Sequence, residues 1–482
     1  MQWINHLLKS HFFKPQGAES LSLFRLLYCA TLCWRIFSDG HYHLEQFSNP
    51  SWHPIPLFEL FRIPLMSREL FQVLHFVLVA SLALTALGAF TRISATIAWI
   101  TFFFYMGTEL GFSKAPHSNY VYHSQNIIVF ILFLLSVAPD VARFGFDGWR
   151  GRGWRWSVDP SERLTSAWPT QLVKLMLGLA YFGSFYCKMV AHPLWADGYT
   201  LQAYLLSKHL VVDSPLAAWI AQHWWLCLTL GLATLVLEGT FFLVVFFPRL
   251  TWPYVLGAIS FHLAILATMK INFLNYFGAT FLVFLDWPTL LFLTAPLRLF
   301  WIHPTVPASS NQTEFPAPIT IGDTRAARWM VVGMWGVLMA CIVARVESWP
   351  FTDYRVFSGR QHASTICVYR LATIDANGQT AWIPSYSLPL STTTINRRIR
   401  TLLSKHDPKS LLQLVDECDS HVAKLQPNGH RRLTVVERTL RYTPGTTTPE
   451  IIDRPLDRHS LAAAAREPIE VAGRQQSGLE RR

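Results

Sequence analysis

The chain has 482 residues, of which 51% are hydrophobic, 14% aromatic and only 15% charged. A charged share so far below the roughly 25% of ordinary globular domains excludes a disordered chain, a coiled coil, a collagen-like repeat and a disulfide-stapled miniprotein; it fits a polytopic membrane protein. The formal net charge of +11 orients helices in such a protein, so no nucleic-acid partner is expected. Seven cysteines form no CxxC pair and no zinc spacing, and no metal is expected.

About 20 apolar residues cross a bilayer as a helix. Nine segments qualify: 18–37, 69–90, 92–110, 121–139, 169–190, 221–247, 252–269, 272–296 and 328–346. The first carries Arg25 and Arg35 and lacks a small-residue cleavage site, so it reads as a retained helix. Arg143, Arg150, Arg152, Arg155 and Arg163 fall in one loop, and Lys9, Lys14, Arg92, Arg249, Arg298 and Arg325 lie in loops of the same parity. The positive-inside rule therefore sets the N-terminus in the cytoplasm, and nine crossings put the C-terminal domain in the periplasm or outside the cell. A bacterial inner membrane is the expected location, with membrane lipids as partners.

The tail after Trp349 differs in kind. Residues 364–374 and 379–383 flank Asp375-Ala376-Asn377-Gly378, which reads as a hairpin turn. Residues 393–404 and 408–425 have helical periodicity, and 432–442 reads as a strand. The expected organisation is a mainly α, polytopic transmembrane bundle over 1–349, a small extramembrane α+β domain over 350–457 and a disordered tail over 458–482. The arginines of the tail fit either a solvated basic surface or contact with acidic phospholipid. Cys367 and Cys418 fit either a disulfide or two free thiols.

Ionisable groups at membrane depth are expensive, so each is a candidate for function. Four stand out: His123, Lys188, Glu238 and His262. Lys188 sits near the outer end of the fifth segment. There it is either a lysine snorkelling to the interface or a desolvated amine able to act as a base. His123 starts the fourth segment at the same outer depth, either in an aromatic belt or sharing a pocket with Lys188. His262 and Glu238-Gly239 lie within spans, where each either ties helices together or takes part in proton transfer.

Several stretches resemble one family. They are Ser22-Leu23-Phe24-Arg25, His123-Ser124 with Phe144-Gly145-Phe146-Asp147-Gly148, and Tyr181-Phe182 through Lys188 followed by Trp195-Ala196-Asp197-Gly198-Tyr199. Phe261-His262-Leu263 and Trp349-Pro350-Phe351 extend the pattern. The chain resembles the HTTM (horizontally transferred transmembrane) domain family, which includes the vitamin K-dependent gamma-glutamyl carboxylases. The resemblance implies a reduced quinone of the vitamin K hydroquinone type as cofactor, and a peptide or protein substrate. It implies that Lys188 deprotonates the quinol and that His123 assists proton transfer, with His262, Trp195, Tyr199 and Glu238 in the substrate or quinone pocket. Cys187 stands where the carboxylases carry a second lysine.

Two functions follow. One is a quinol-dependent enzyme of the carboxylase or oxygenase type, a lyase. The other is a non-catalytic HTTM protein for lipid or quinone binding, export or partner maturation. A transporter ranks behind both, because no inverted repeat or pair of broken helices is visible in the sequence.

Overall fold

The computed structural model describes residues 6–465 except 7, 46, 48–51, 53, 114–122, 139–144, 153–163, 192, 288–323, 349, 353–364, 375–378, 384–386, 389–391, 405, 426–431 and 442–449. The helices are α1 (Ala18–Glu45), α2 (Pro56–Leu60), α3 (Arg68–Leu87), α4 (Thr91–Ser113), α5 (His123–Val137), α6 (Phe146–Arg152), α7 (Trp168–Ala191), α8 (Tyr199–Val212), α9 (Pro215–Ala221), α10 (Trp224–Thr240), α11 (Thr251–Met269), α12 (Leu274–Phe277), α13 (Arg325–Val343), α14 (Thr392–Ser404), α15 (Pro408–Leu425) and α16 (Arg458–Ala464). The strands are β1 (Pro15–Gly17), β2 (Leu164–Ser166), β3 (Glu347–Ser348), β4 (Phe351–Thr352), β5 (Thr365–Ile374), β6 (Thr380–Trp382), β7 (Thr434–Arg441) and β8 (Glu450–Leu456).

Each of the nine expected segments contains helix. Among the described residues, six stretches are long and apolar enough to cross a membrane: Ala18–Gly40, Arg68–Leu87, Thr91–Phe112, Trp224–Val245, Pro248–Met269 and Arg325–Val343. The protein is therefore a mainly helical membrane protein with a small strand-containing C-terminal region. The other three expected segments fall short for separate reasons. In α7, Gln171, Lys174 and Lys188 dilute the apolar run. The described helix α5 has only 15 residues, and the segment begun by α12 runs into residues outside the description.

Side chains such as Phe76, Leu87, Ile93, Val236, Leu256 and Trp329 stand exposed on these helices. A water-facing surface so apolar would drive association, whereas a lipid-facing one is at equilibrium.

The chain divides into two compact units, one of residues 1–190, 236–262 and 273–358, the other of 191–235, 263–272 and 359–482. Residues 191–235 and 263–272, expected within the membrane domain, cluster with the C-terminal residues in this division.

In the first unit, Phe24, Tyr28, Phe71, Leu78, Phe102, Ile131, Leu172 and Phe241 belong to one continuous core. Three of the loops that share a charge parity also meet there. Strand β1 pairs antiparallel with β2, Pro15 opposite Ser166, and Asp147 N–H donates to Gly88 O at 2.8 Å.

The second unit holds an antiparallel sheet of order β6-β5-β7-β8. Tyr369, Leu371 and Val435 on one face pack with Ile395, Ile399, Leu411, Leu414 and Leu461 of α14, α15 and α16. Val368, Ala372, Val436 and Leu440 are buried as well, and α8 packs on β5. The central strand β5 is therefore covered on both faces, whereas β7 keeps the polar run Glu437-Arg438-Thr439 between its buried residues. The hairpin strands and both helices lie where expected, with the turn at 375–378 outside the described residues. Residues 458–464, expected at the start of the tail, form α16. Asp457 caps this helix by accepting from Ser460 N–H at 2.6 Å, and Leu461 docks it into the core. Residues 466–482 lie outside the described residues. Strand β8 was not anticipated, since Pro455 argues against a strand. Proline is tolerated here because β8 is an edge strand. All seven cysteines are free thiols, so Cys367 and Cys418 form no disulfide.

Candidate functional site

Tyr181, Ser184 and Lys188 occupy positions i, i+3 and i+7 of α7 and so share one face. Two glycines let this helix approach the chain at the end of α10. A Cβ on Gly178 would lie 2.6 Å from Phe242 Cα, and one on Gly239 would lie 3.1 Å from the Phe185 ring. Small residues of this kind let membrane helices pack at backbone distance.

The close approach delivers Glu238 to Lys188. The ammonium Nζ donates to Glu238 Oε1 and Oε2, both at 2.8 Å, and to Ser184 Oγ at 2.7 Å. Ser184 Oγ in turn donates to Glu238 Oε1 at 3.1 Å. Lys188 is 1% exposed and Glu238 3%. Three acceptors match the three N–H donors of an ammonium, and every contact to Glu238 is one a carboxylate accepts. The arrangement is a desolvated ion pair with a hydroxyl bridging it. It excludes a snorkelling lysine, whose amine would reach water.

One turn away, Tyr181 OH lies 2.7 Å from His262 Nε2 on α11. Tyr181 stacks on Phe241 with ring centroids 4.5 Å apart. His262 is 7% exposed and is ringed by Phe261, Phe273, Phe277 and Phe281, at 5.3–6.4 Å between centroids. Its Nδ1 has no hydrogen-bond partner among the described residues.

Phe241 and Phe277, whose ring centroids lie 4.5 and 6.0 Å from that of Tyr181, each mark a change of backbone. After Thr240 the chain continues as a 3-10 helix over Phe241–Val245. After Phe277 it does the same over Gly278–Phe284. The sequence showed no pair of interrupted helices, because neither change is marked by proline.

Of the six expected site residues, Lys188, Glu238 and His262 fall in one unit with Tyr181 and Ser184 between them. Tyr181 and Ser184 were missed as site residues, although their spacing from Lys188 was a readable signal. His123 is the first residue of α5, and its side chain lies outside the described residues. Trp195 and Tyr199 belong to the second unit and have packing roles of their own there. Trp195 stacks on Tyr204, and Tyr199 meets Trp224 in a tilted ring contact, each at 5.8 Å between centroids. Asp197 accepts from Tyr199 N–H at 2.9 Å. Gly198 sits at φ +79°, where a Cβ would be 2.6 Å from Leu228 N.

The Phe146-Asp147-Gly148 stretch is a helix cap. Asp147 accepts from Phe90 N–H at 2.9 Å, Thr91 N–H at 2.7 Å and the Thr91 hydroxyl at 2.9 Å, at the start of α4. Partial burial opposes ionisation of this carboxyl. The N–H groups of Thr91 and Phe90, the Thr91 hydroxyl and the charge of Arg25 outweigh that, so it titrates below its ordinary range. Arg25, fully buried, donates to Thr85 O at 2.8 Å beneath the same turn.

A polytopic helix bundle with an ion pair in its interior defines an integral membrane protein built around a buried polar site. The sequence model of the HTTM domain matches residues 13–287, more than half of the chain, and the chain belongs to the HTTM domain family. No curated protein and no solved structure matches it.

Proposed function

We propose that the protein is a quinol-dependent membrane enzyme of the carboxylase or oxygenase type, in which the Lys188–Glu238 pair handles the proton of a lipid-soluble quinol. The observation that carries this reading is the pair itself. Two charges removed from water cost several kcal/mol each, and a well-packed apolar pair of the same volume would serve a helix bundle as well or better. A charge pair kept in a membrane interior therefore has a use beyond packing.

The neighbouring residues fit a reduced quinone. His262 Nδ1 is a buried polar atom with no partner among the described residues, and the phenylalanines around it suit a planar apolar ring. When bound, the quinol supplies the reducing chemistry. The chain's own residues would orient it, exclude water and take its proton. A peptide or protein substrate and contacts with membrane lipids belong to the same proposal.

A second reading is a non-catalytic HTTM protein serving lipid or quinone binding, export or partner maturation. The full occupation of the Lys188 amine by three acceptors favours it, since such an amine is not poised as a free base. Anaerobic reconstitution of purified protein with a reduced naphthoquinone, followed by oxygen, separates the two. Oxygen uptake with formation of quinone epoxide is expected. Reconstituted protein that consumes no oxygen above the protein-free rate sinks the enzyme reading.

A further inference from the structure

We infer that Glu238, rather than Lys188, accepts the proton at this site, and that Lys188 serves as the fixed cation that stabilises the oxygen left behind. The inference rests on the quinol reading above and refines which group does what.

Lys188 has the hydrogen-bond pattern of an ammonium, with donors aimed at Glu238 Oε1, Glu238 Oε2 and Ser184 Oγ. An ammonium has no lone pair and takes no proton. The carboxylate has lone pairs to spare, unequally divided. Among the described residues, Oε1 accepts from both Lys188 and Ser184, while Oε2 accepts from Lys188 alone. Oε2 is thus the open acceptor.

Charge accounting supports the division of roles. Before transfer the pair is neutral as a unit. When a hydroxyl O–H breaks and the proton bonds to Oε2, Glu238 becomes a neutral acid. The electron pair stays on the donor oxygen, which becomes anionic. Lys188 then lacks a charged partner on its own side and offers its field to that anion. Total charge is unchanged, and no group in the low-dielectric interior is left without a counterion. The alternative, a neutral Lys188 beside an ionised Glu238, would leave a bare carboxylate in the membrane interior beforehand. Ser184 holds the geometry from both sides, accepting from Lys188 and donating to Glu238.

The test is infrared difference spectroscopy on the full-length protein in lipid nanodiscs, titrated anaerobically with a reduced short-chain naphthoquinone. Wild-type protein is expected to gain a protonated-carboxyl C=O band as the quinol binds, with binding followed by tryptophan fluorescence. Glu238→Gln is expected to bind the quinol without that band and to lose turnover on the order of 100- to 10,000-fold. Glu238→Asp keeps an acceptor and is expected to retain the band, which guards against a Gln variant that fails to fold. A band that persists in Glu238→Gln, or wild-type protein that binds and turns over quinol without one, overturns the role of Glu238 while leaving the quinol reading intact. Wild-type protein that binds no quinol overturns both.

Discussion

Lys188 and Glu238 lie 50 residues apart in the chain, and each makes the other tolerable. Removing one partner strands a buried charge, so Lys188→Met and Glu238→Leu should each cost about 3–5 kcal/mol of stability. The double variant should recover most of that loss and unfold within about 1 kcal/mol of the native protein. Denaturant unfolding in micelles measures all three. Additive losses would mean that the two groups are not coupled. Burial and then the nearby charge of Glu437 push the Cys367 thiol up to about 11, and burial and then Glu417 push Cys418 up to about 12. At pH 8 only roughly one Cys367 in a thousand is thiolate. Both thiols should resist alkylation at that pH until the domain is unfolded, as mass spectrometry would show.

At the level of elements, the turn between α3 and α4 depends on Asp147 and on two glycines. Gly88 ends α3 at φ +69°, and a Cβ on Gly145 would sit 2.7 Å from Gly88 Cα. Backbone cannot yield as a side chain does, so Gly145→Ala should destabilise by about 1–3 kcal/mol. Asp147 titrates below the ordinary carboxyl range in the folded protein. Its stabilising share is therefore complete above that range and lost as pH falls through the lowered value. Melting followed from pH 7 down to pH 3 should show a steeper decline in the native protein than in Asp147→Asn. Equal slopes would remove the cap from the account. The helices themselves were legible, because an apolar run of spanning length has few other folded solutions. The partner of Lys188 was not legible, since a contact between helices leaves no mark on local sequence. What was readable, the i, i+3, i+7 row of Tyr181, Ser184 and Lys188, becomes informative only once Gly178 and Gly239 show which side is pressed against α10.

For the whole molecule, the C-terminal domain extends its core to residues from the helical half of the chain. Arg370 of β5, 4% exposed, donates to Asp213 Oδ1 at 2.7 Å and Oδ2 at 2.6 Å, and to Leu210 O at 3.2 Å. Arg370 and Arg438 lie over the Trp382 ring, at 4.3 and 4.2 Å from its centroid. Arg370→Ala should cost about 1.5–3 kcal/mol, read as earlier melting of the strand-containing unit. Hydropathy separates apolar runs from polar ones and is blind to such a contact between Asp213 and a strand 157 residues later. Orientation is checked in intact cells. A cysteine introduced at Glu450 should react with an impermeant maleimide, and one at Arg150 should not. The reverse pattern would invert the topology.

The two 3-10 stretches beside Tyr181 have a mechanical consequence. A 3-10 helix rises about 2.0 Å per residue against about 1.5 Å in an α-helix. Rewinding the five residues Phe241–Val245 would shorten their span by about 2.5 Å, and the seven residues Gly278–Phe284 by about 3.5 Å. Those lengths are comparable to the thickness differences among natural bilayers. Such rewinding would change the length of the chain where the aromatic rings meet the polar residues, and melting of the reconstituted protein should then depend on acyl-chain length.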